Sequence, residues 1–122
     1  MTVHTTKSQF RLFEKECQSW ADKLGLKDWC VFTRHDDLCA ENTLAQCQWK
    51  SGQRIANLVL NTTVATSKSD FEVRRAALHE CLELLLIGCT EAMRKGVPED
   101  VVDTETHKVI RVLENLLLGA PR

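Results

Sequence analysis

Between Lys7 and Leu24 the apolar residues Phe10, Phe13, Cys17, Trp20 and Leu24 recur at steps of three and four, which predicts a helix with one buried face. Gly25 is placed to end it, and Lys15, Glu16, Asp22 and Lys23 fill the opposite, solvated side. The pattern then changes to that of strands. Trp29 to Thr33 is rich in β-forming types, Thr43 to Trp49 alternates around Leu44, Cys47 and Trp49, and Arg54 to Asn61 alternates through Ile55, Asn57 and Val59 against Ala56, Leu58 and Leu60. The turn Ser51-Gly52-Gln53 joins the last two as a hairpin. Arg34 to Asn42 and Thr62 to Ser69 read as loops. A long helix follows from about Phe71, capped by Ser69 or Asp70, to about Lys95, where Gly96-Val97-Pro98 stops it. Leu78, Leu82, Leu85, Leu86 and Cys89 supply its burial. Asp103 and Thr104 cap a final helix that carries Val109, Ile110, Leu113, Leu116 and Leu117. The order α-β-β-β-α-α, without repeats or an internal linker, predicts one α+β domain over residues 1–122, with helices packed on a small, mostly antiparallel sheet.

Composition narrows the partners. A chain of 122 residues, 43% hydrophobic and 27% charged, has the make-up of an ordinary globular domain. The net charge of −1 carries no basic excess, so no nucleic-acid partner is expected. No apolar run approaches the roughly 20 residues that span a bilayer, and Met1 to Lys7 lacks the apolar stretch of a secretory signal. The expectation is a cytoplasmic protein without a membrane partner. The six cysteines, at 17, 30, 39, 47, 81 and 89, form no Cys-x-x-Cys pair and read as small buried hydrophobes in a reducing compartment. Trp20, Trp29 and Trp49 read as core anchors. His4, in a frayed terminus, and His35, beside Asp36 and Asp37 in a loop, have no assigned role, and Arg74 and Arg75 are solvated or paired with Asp70 or Glu72.

The chemistry lies in His79-Glu80-Cys81-Leu82-Glu83. His79 and Glu83 are four residues apart, so both project from one helix face about a turn apart, the spacing by which a helix offers two side chains to one metal ion. Glu80 points about 100° away and can reach a water on that metal from the side. A catalytic site needs a third protein ligand and an open position. His107 in the final helix supplies it, with Glu105 as the alternative. The better-known form of the spacing is His-Glu-x-x-His, in which the glutamate is the general base.

The stretch from Arg74 to Leu86, with His79-Glu80 at its centre, resembles the active helix of small zincin-like metallopeptidases, many of them phage- or prophage-encoded and themselves similar to a stripped-down SprT-like protease. Glu105 to Asn115 resembles their C-terminal helix, and the first helix ending at Leu24-Gly25-Leu26 before Trp29 is similar too. The resemblance implies an α-β-β-β-α-α zincin-like fold, a zinc ion and hydrolysis of a protein or peptide, with His79 as a ligand and Glu80 as general base. Position 83 departs from it, since glutamate stands where the second histidine is expected. A carboxylate can ligate zinc, but its charge weakens the metal as a Lewis acid, and the harder donor set admits manganese or iron.

Three functions compete on this sequence. One is a metal-dependent peptidase in which Glu80 activates a metal-bound water. Another is a zincin fold kept as a catalytically inactive binding or regulatory module. The third is an all-helical nucleotide pyrophosphohydrolase using Glu80 and Glu83 as a Glu-x-x-Glu magnesium pair, which conflicts with the strands before residue 62. The strand Arg54 to Leu60 is either a half-buried hairpin strand or the edge on which an extended substrate pairs.

Overall fold

A computed structural model of the chain describes residues 1–50 and 52–119, without the side chains of residues 88, 89 and 91–94. The predicted burial of Cys89 and the first residue of the turn, Ser51, therefore lie outside the described residues. The fold is α+β. Its elements are β1 (Val3–His4), α1 (Lys7–Lys23), β2 (Cys30–Asp36), β3 (Ala45–Lys50), β4 (Ile55–Asn61), β5 (Thr63–Val64), α2 (Asp70–Arg94) and α3 (Glu99–Leu118). No helix among them is long and apolar enough to cross a membrane.

Local chemistry accounts for the helix starts. Thr6 and Gln9 form a reciprocal capping box on α1, and Ser69 and Glu72 form another on α2, with Oγ accepting from the Glu72 N–H at 3.1 Å. Of the two cap candidates on α2, Ser69 is the one used. The third helix begins a turn earlier than expected. Pro98 precedes it, Glu99 and Asp100 fill its first turn, and Thr104 bonds back to the Asp100 carbonyl instead of capping. Proline followed by acidic residues is itself a helix-start signal. His107 consequently sits about two turns into α3.

The three-stranded sheet has the order β2-β4-β3. β3 and β4 form the expected antiparallel hairpin, with Ala45 opposite Leu60 and Lys50 opposite Ile55. β2 runs parallel to β4 from Cys30↔Ile55 to Asp36↔Asn61. This ladder extends β2 through Arg34, His35 and Asp36, whose polar side chains conceal a strand in the sequence. β1 and β5 form a separate antiparallel pair that places His4 opposite Thr63 and holds the terminus, so His4 is not frayed. β4 is central, with partners on both sides, so it cannot be the edge on which a substrate pairs. β3 is an edge strand.

α1 and α2 pack on each other and cover one face of the sheet. Phe13, Cys17, Leu58, Leu60, Leu78 and Cys81 are fully buried between them. Trp20 and Trp29 are buried as expected, and Trp49 packs against the core from its edge. Arg74 pairs with Glu16 across the α1–α2 seam, not with Asp70 or Glu72. Cys17 and Cys81 are core residues, whereas Cys30 and Cys39 are exposed, because they lie on the outer sheet face and in a turn. Leu85, Val109, Leu116 and Leu117 are also exposed, Leu116 at 76%. α3 packs on α2 along one narrow seam, which buries Val102 and Ile110, half-buries Leu113 and Leu118, and leaves Val101, Val109, Val112, Leu116 and Leu117 exposed.

Asn61 ties the loops to the sheet. It is fully buried, its Nδ2 donates to the Ala40 and Thr43 carbonyls at 3.1 and 2.8 Å, and its Oδ1 accepts from the Leu38 N–H at 3.0 Å. Its own carbonyl accepts from Thr5 Oγ1 at 2.6 Å, and that hydroxyl lies 2.7 Å from His35 Nε2. His35 stacks on Phe10 and so has a structural role. Replacing Asn61 by alanine removes the side-chain bonds to Leu38, Ala40 and Thr43 and the one its Oδ1 accepts from the Thr63 N–H at 3.3 Å, while the Ala40 carbonyl keeps the Thr43 N–H. The expected cost is about 2–4 kcal/mol in urea unfolding. Burial holds the His35 imidazole below its ordinary value of 6.5, against the opposing charge of Asp36. Its neutral packing is therefore complete above pH 6.5 and lost as the pH falls through the depressed value. Acid titration of thermal stability is expected to show this loss in the native chain and not in His35→Gln.

Candidate metal centre

α2 and α3 run antiparallel, and their register assembles the site. His79 lies opposite Glu114, and Glu83, one turn further along α2, lies opposite His107, about two turns back along α3. The leucines beside them, Leu78 and Leu82, are buried in the core, which fixes the helix rotation that turns His79 and Glu83 toward α3.

His79, Glu83 and His107 each offer one ligand atom within 4.8 Å of the others, so the three sequence candidates converge on a group that can hold a metal ion. Glu83 Oε1 is 3.6 Å from His79 Nε2 and 3.2 Å from His107 Nε2. Ligand atoms around one tetrahedral zinc, bound at ~2.0–2.2 Å, lie roughly 3.3–3.6 Å apart. The observed separations bracket that spacing. Glu105, the alternative ligand, is exposed and pairs with Lys108 at 3.2 Å, so it takes no part.

The far nitrogens of both imidazoles are tied down. His79 Nδ1 lies 2.9 Å from Glu114 Oε2, and His107 Nδ1 lies 2.7 Å from the Asp103 carbonyl. With the proton on Nδ1, each ring donates outward and aims Nε2 at Glu83, as ligating histidines commonly do. The rings stack at 5.4 Å between centroids and 28° between planes. Glu114 was not singled out from the sequence, yet it is buried at 6% exposure. Its signal was available: it lies seven residues after His107 and four after the buried Ile110, a carboxylate on the covered stripe of an apolar helix.

Glu80 is 5% exposed. Burial, followed by the charge of Glu83, pushes its carboxyl well above the ordinary range, and a hydrogen bond with Glu83 adds to the rise. Glu83 is held low despite its burial, by hydrogen bonds from His79 and Glu80 and by the charges of both histidines. Burial opposes charge on His79, but the Glu83 carboxylate and the charges of Glu80 and Glu114 prevail and raise it to about 9. The thiol of Cys47, on β3 beside these carboxyls, is pushed up by burial and then by Glu80 and Glu83, and stays neutral.

The cluster opens into a cleft of about 470 Å³ lined in part by Leu44, Ala45, His79, Glu80 and His107. No family model, curated protein or solved structure matches the chain. The likeness to zincin-like metallopeptidases therefore stands on the motif residues alone.

Without a cation the cluster satisfies itself as an imidazolium between carboxylates, and this has a measurable consequence. The raised value of His79 contributes stability that is complete below pH 6.5 and lost as the pH rises toward about 9. The raised carboxyl of Glu80 acts with the same sign, from its ordinary 4.5 upward. The melting temperature of the metal-free chain is expected to fall between pH 6.5 and 9, and His79→Gln is expected to flatten most of that slope.

Proposed function

We propose that this chain is a small zincin-like, metal-dependent peptidase in which His79, Glu83 and His107 hold a divalent cation and Glu80 is the general base. One observation carries the reading: two imidazoles, each anchored through Nδ1, present Nε2 at 3.6 and 3.2 Å from a shared carboxylate. When bound, the cation would polarise a substrate carbonyl and ease ionisation of water in the site. Zinc is the first candidate, and the carboxylate ligand also admits manganese or iron.

The chain's own groups supply the remaining steps. With Glu83 engaged by a cation, Glu80 would lose its hydrogen-bond partner and release its proton to solvent beside the added positive charge. As the carboxylate it would take a proton from water and pass it to the leaving amine. Burial keeps Glu80 out of bulk water, where its basicity would fall back to the ordinary carboxylate range. β3 borders the cleft through Ala45 and has a free edge, so an extended protein or peptide substrate can pair with its backbone. Glu83 adds a negative charge where a neutral imidazole would leave the cation a stronger Lewis acid. The proposed activity is accordingly modest.

A second reading, a zincin fold retained as an inactive binding module, draws on the same position. In the metal-free chain the Glu80 carboxyl is occupied by Glu83, and catalysis depends on that contact opening. Elemental analysis after dialysis against zinc, manganese or iron(II) distinguishes the cases. One equivalent is expected, with a melting temperature raised by roughly 10 °C at a hundredfold excess over Kd. The loaded chain should cleave an unstructured protein such as casein, and Glu80→Gln should take up metal normally while losing at least 100-fold in rate. Metal uptake without cleavage, unrelieved by Glu83→His, would leave the binding module. No uptake and an unchanged melting curve contradict the peptidase and leave a fold that is stable without metal.

A further inference from the structure

The charges around the cleft are unevenly compensated. Its acidic side chains are already engaged. Glu114 is paired with His79, Glu80 is buried, and Glu72 is held by the Ser69 N–H at the start of α2, keeping its charge. Its basic side chains, Lys68, Arg75 and Arg111, are not neutralised in the same way. Lys68 Nζ meets only the Thr66 hydroxyl, at 3.3 Å. Among the described residues, neither Arg75 nor Arg111 makes an ion pair or a side-chain hydrogen bond, and both are exposed. The contrast with Arg74 is direct, because that neighbouring guanidinium is consumed by Glu16 on α1.

The two free arginines are also placed with respect to the candidate ligands. Arg75 precedes His79 by four residues on α2, and Arg111 follows His107 by four on α3. Residues four apart share a helix face at about one turn, roughly 5–6 Å. Each arginine is therefore rooted one turn from a histidine of the metal centre, and both residues line the cleft. From those positions the long side chains have the reach to meet a carboxylate on a residue adjacent to the peptide bond presented to the metal centre. Guanidinium groups suit the task, since their fixed fork binds a carboxylate through two parallel hydrogen bonds.

We infer that Arg75 and Arg111 form a subsite for a peptide carboxylate, so that the cleft selects substrates with an acidic residue or a free C-terminus beside the bond presented to the metal centre. The inference rests on the peptidase reading and sharpens it from any peptide to an anionic one. Lys68 adds long-range attraction at the mouth of the cleft.

The test is binding of four otherwise identical decapeptides to the full chain in zinc, followed by fluorescence anisotropy of a neutral N-terminal label. One has a central Asp-Glu and an amidated end, one is uncharged with a free C-terminal carboxylate, one is uncharged and amidated, and one carries central lysines and is amidated. At least one carboxylate peptide is expected to bind about 5–30-fold tighter than the uncharged amide, with the lysine peptide weakest. Preference for the first assigns a side-chain carboxylate, and preference for the second assigns the chain end. Arg75→Gln and Arg111→Gln should each reduce the preference about three- to fivefold, and the double variant or high salt should remove it. Circular dichroism checks that these exposed substitutions leave the fold intact, and zinc uptake reports the metal centre separately. Equal binding of all four peptides, no binding of any, or a preference that survives the double substitution would overturn the inference while leaving the metal centre standing. Loss of zinc uptake in the unaltered chain would instead contradict the metal centre.

Discussion

The antiparallel seam between α2 and α3 is the constraint on which the site depends. One face of α2 is committed to the core through Leu78, Leu82 and Cys81, leaving an adjacent stripe of His79 and Glu83 at the edge of that burial. α3 returns along the stripe in a register that meets His79 with Glu114 and Glu83 with His107. A shift of one residue along α3 would rotate its contact face by about 100° and separate both pairs. Val102 and Ile110, the buried residues of α3, hold the register by packing, and Glu114 holds it by charge. The apolar seam and the polar cluster are therefore one structural unit. It is also a narrow one, since much of the apolar surface of α3 remains in solvent.

Within that unit the two glutamates of α2 divide the chemistry. Glu83 faces both imidazoles and remains ionised because it is the acceptor for everything around it. Glu80, one position from His79, is more deeply buried and is pushed well above the ordinary carboxyl range. Two carboxyls whose surroundings push them in opposite directions are the pattern of an acid–base site. A structural ion-pair network perturbs carboxyls in the same way, and uptake of a cation is what distinguishes the two. The Nδ1 contacts of His79 and His107 turn both Nε2 atoms toward Glu83, an arrangement that suits a cation and also an imidazolium held between carboxylates.

The helices were legible because their periodicity was strong. Phe13, Cys17 and Trp20 lie where the steps of three and four place them, and His79 and Glu83 share a face as their spacing requires. The β3–β4 hairpin was legible for the same reason. The parallel pairing of β2 was not. It joins residues 25 apart in sequence, and the last turn of its ladder is carried by Arg34, His35 and Asp36, which look like loop. The hydrogen-bond network of Asn61 and the β1–β5 pair were equally hidden, because neither depends on apolar spacing. In the site, His107 was found by the need for a third ligand. Glu114 was missed, because a glutamate in an amphipathic helix looks solvated until the packing of the partner helix is known.

The central claim is that His79, Glu83 and His107 converge on one cation. A crystal soaked in zinc and measured at the zinc absorption edge tests it most directly. The account predicts one strong anomalous peak within ~2.0–2.2 Å of His79 Nε2, His107 Nε2 and a Glu83 oxygen, with both Nδ1 contacts retained. A peak elsewhere, or none at saturating zinc with the Glu83 ion pairs intact, would contradict it.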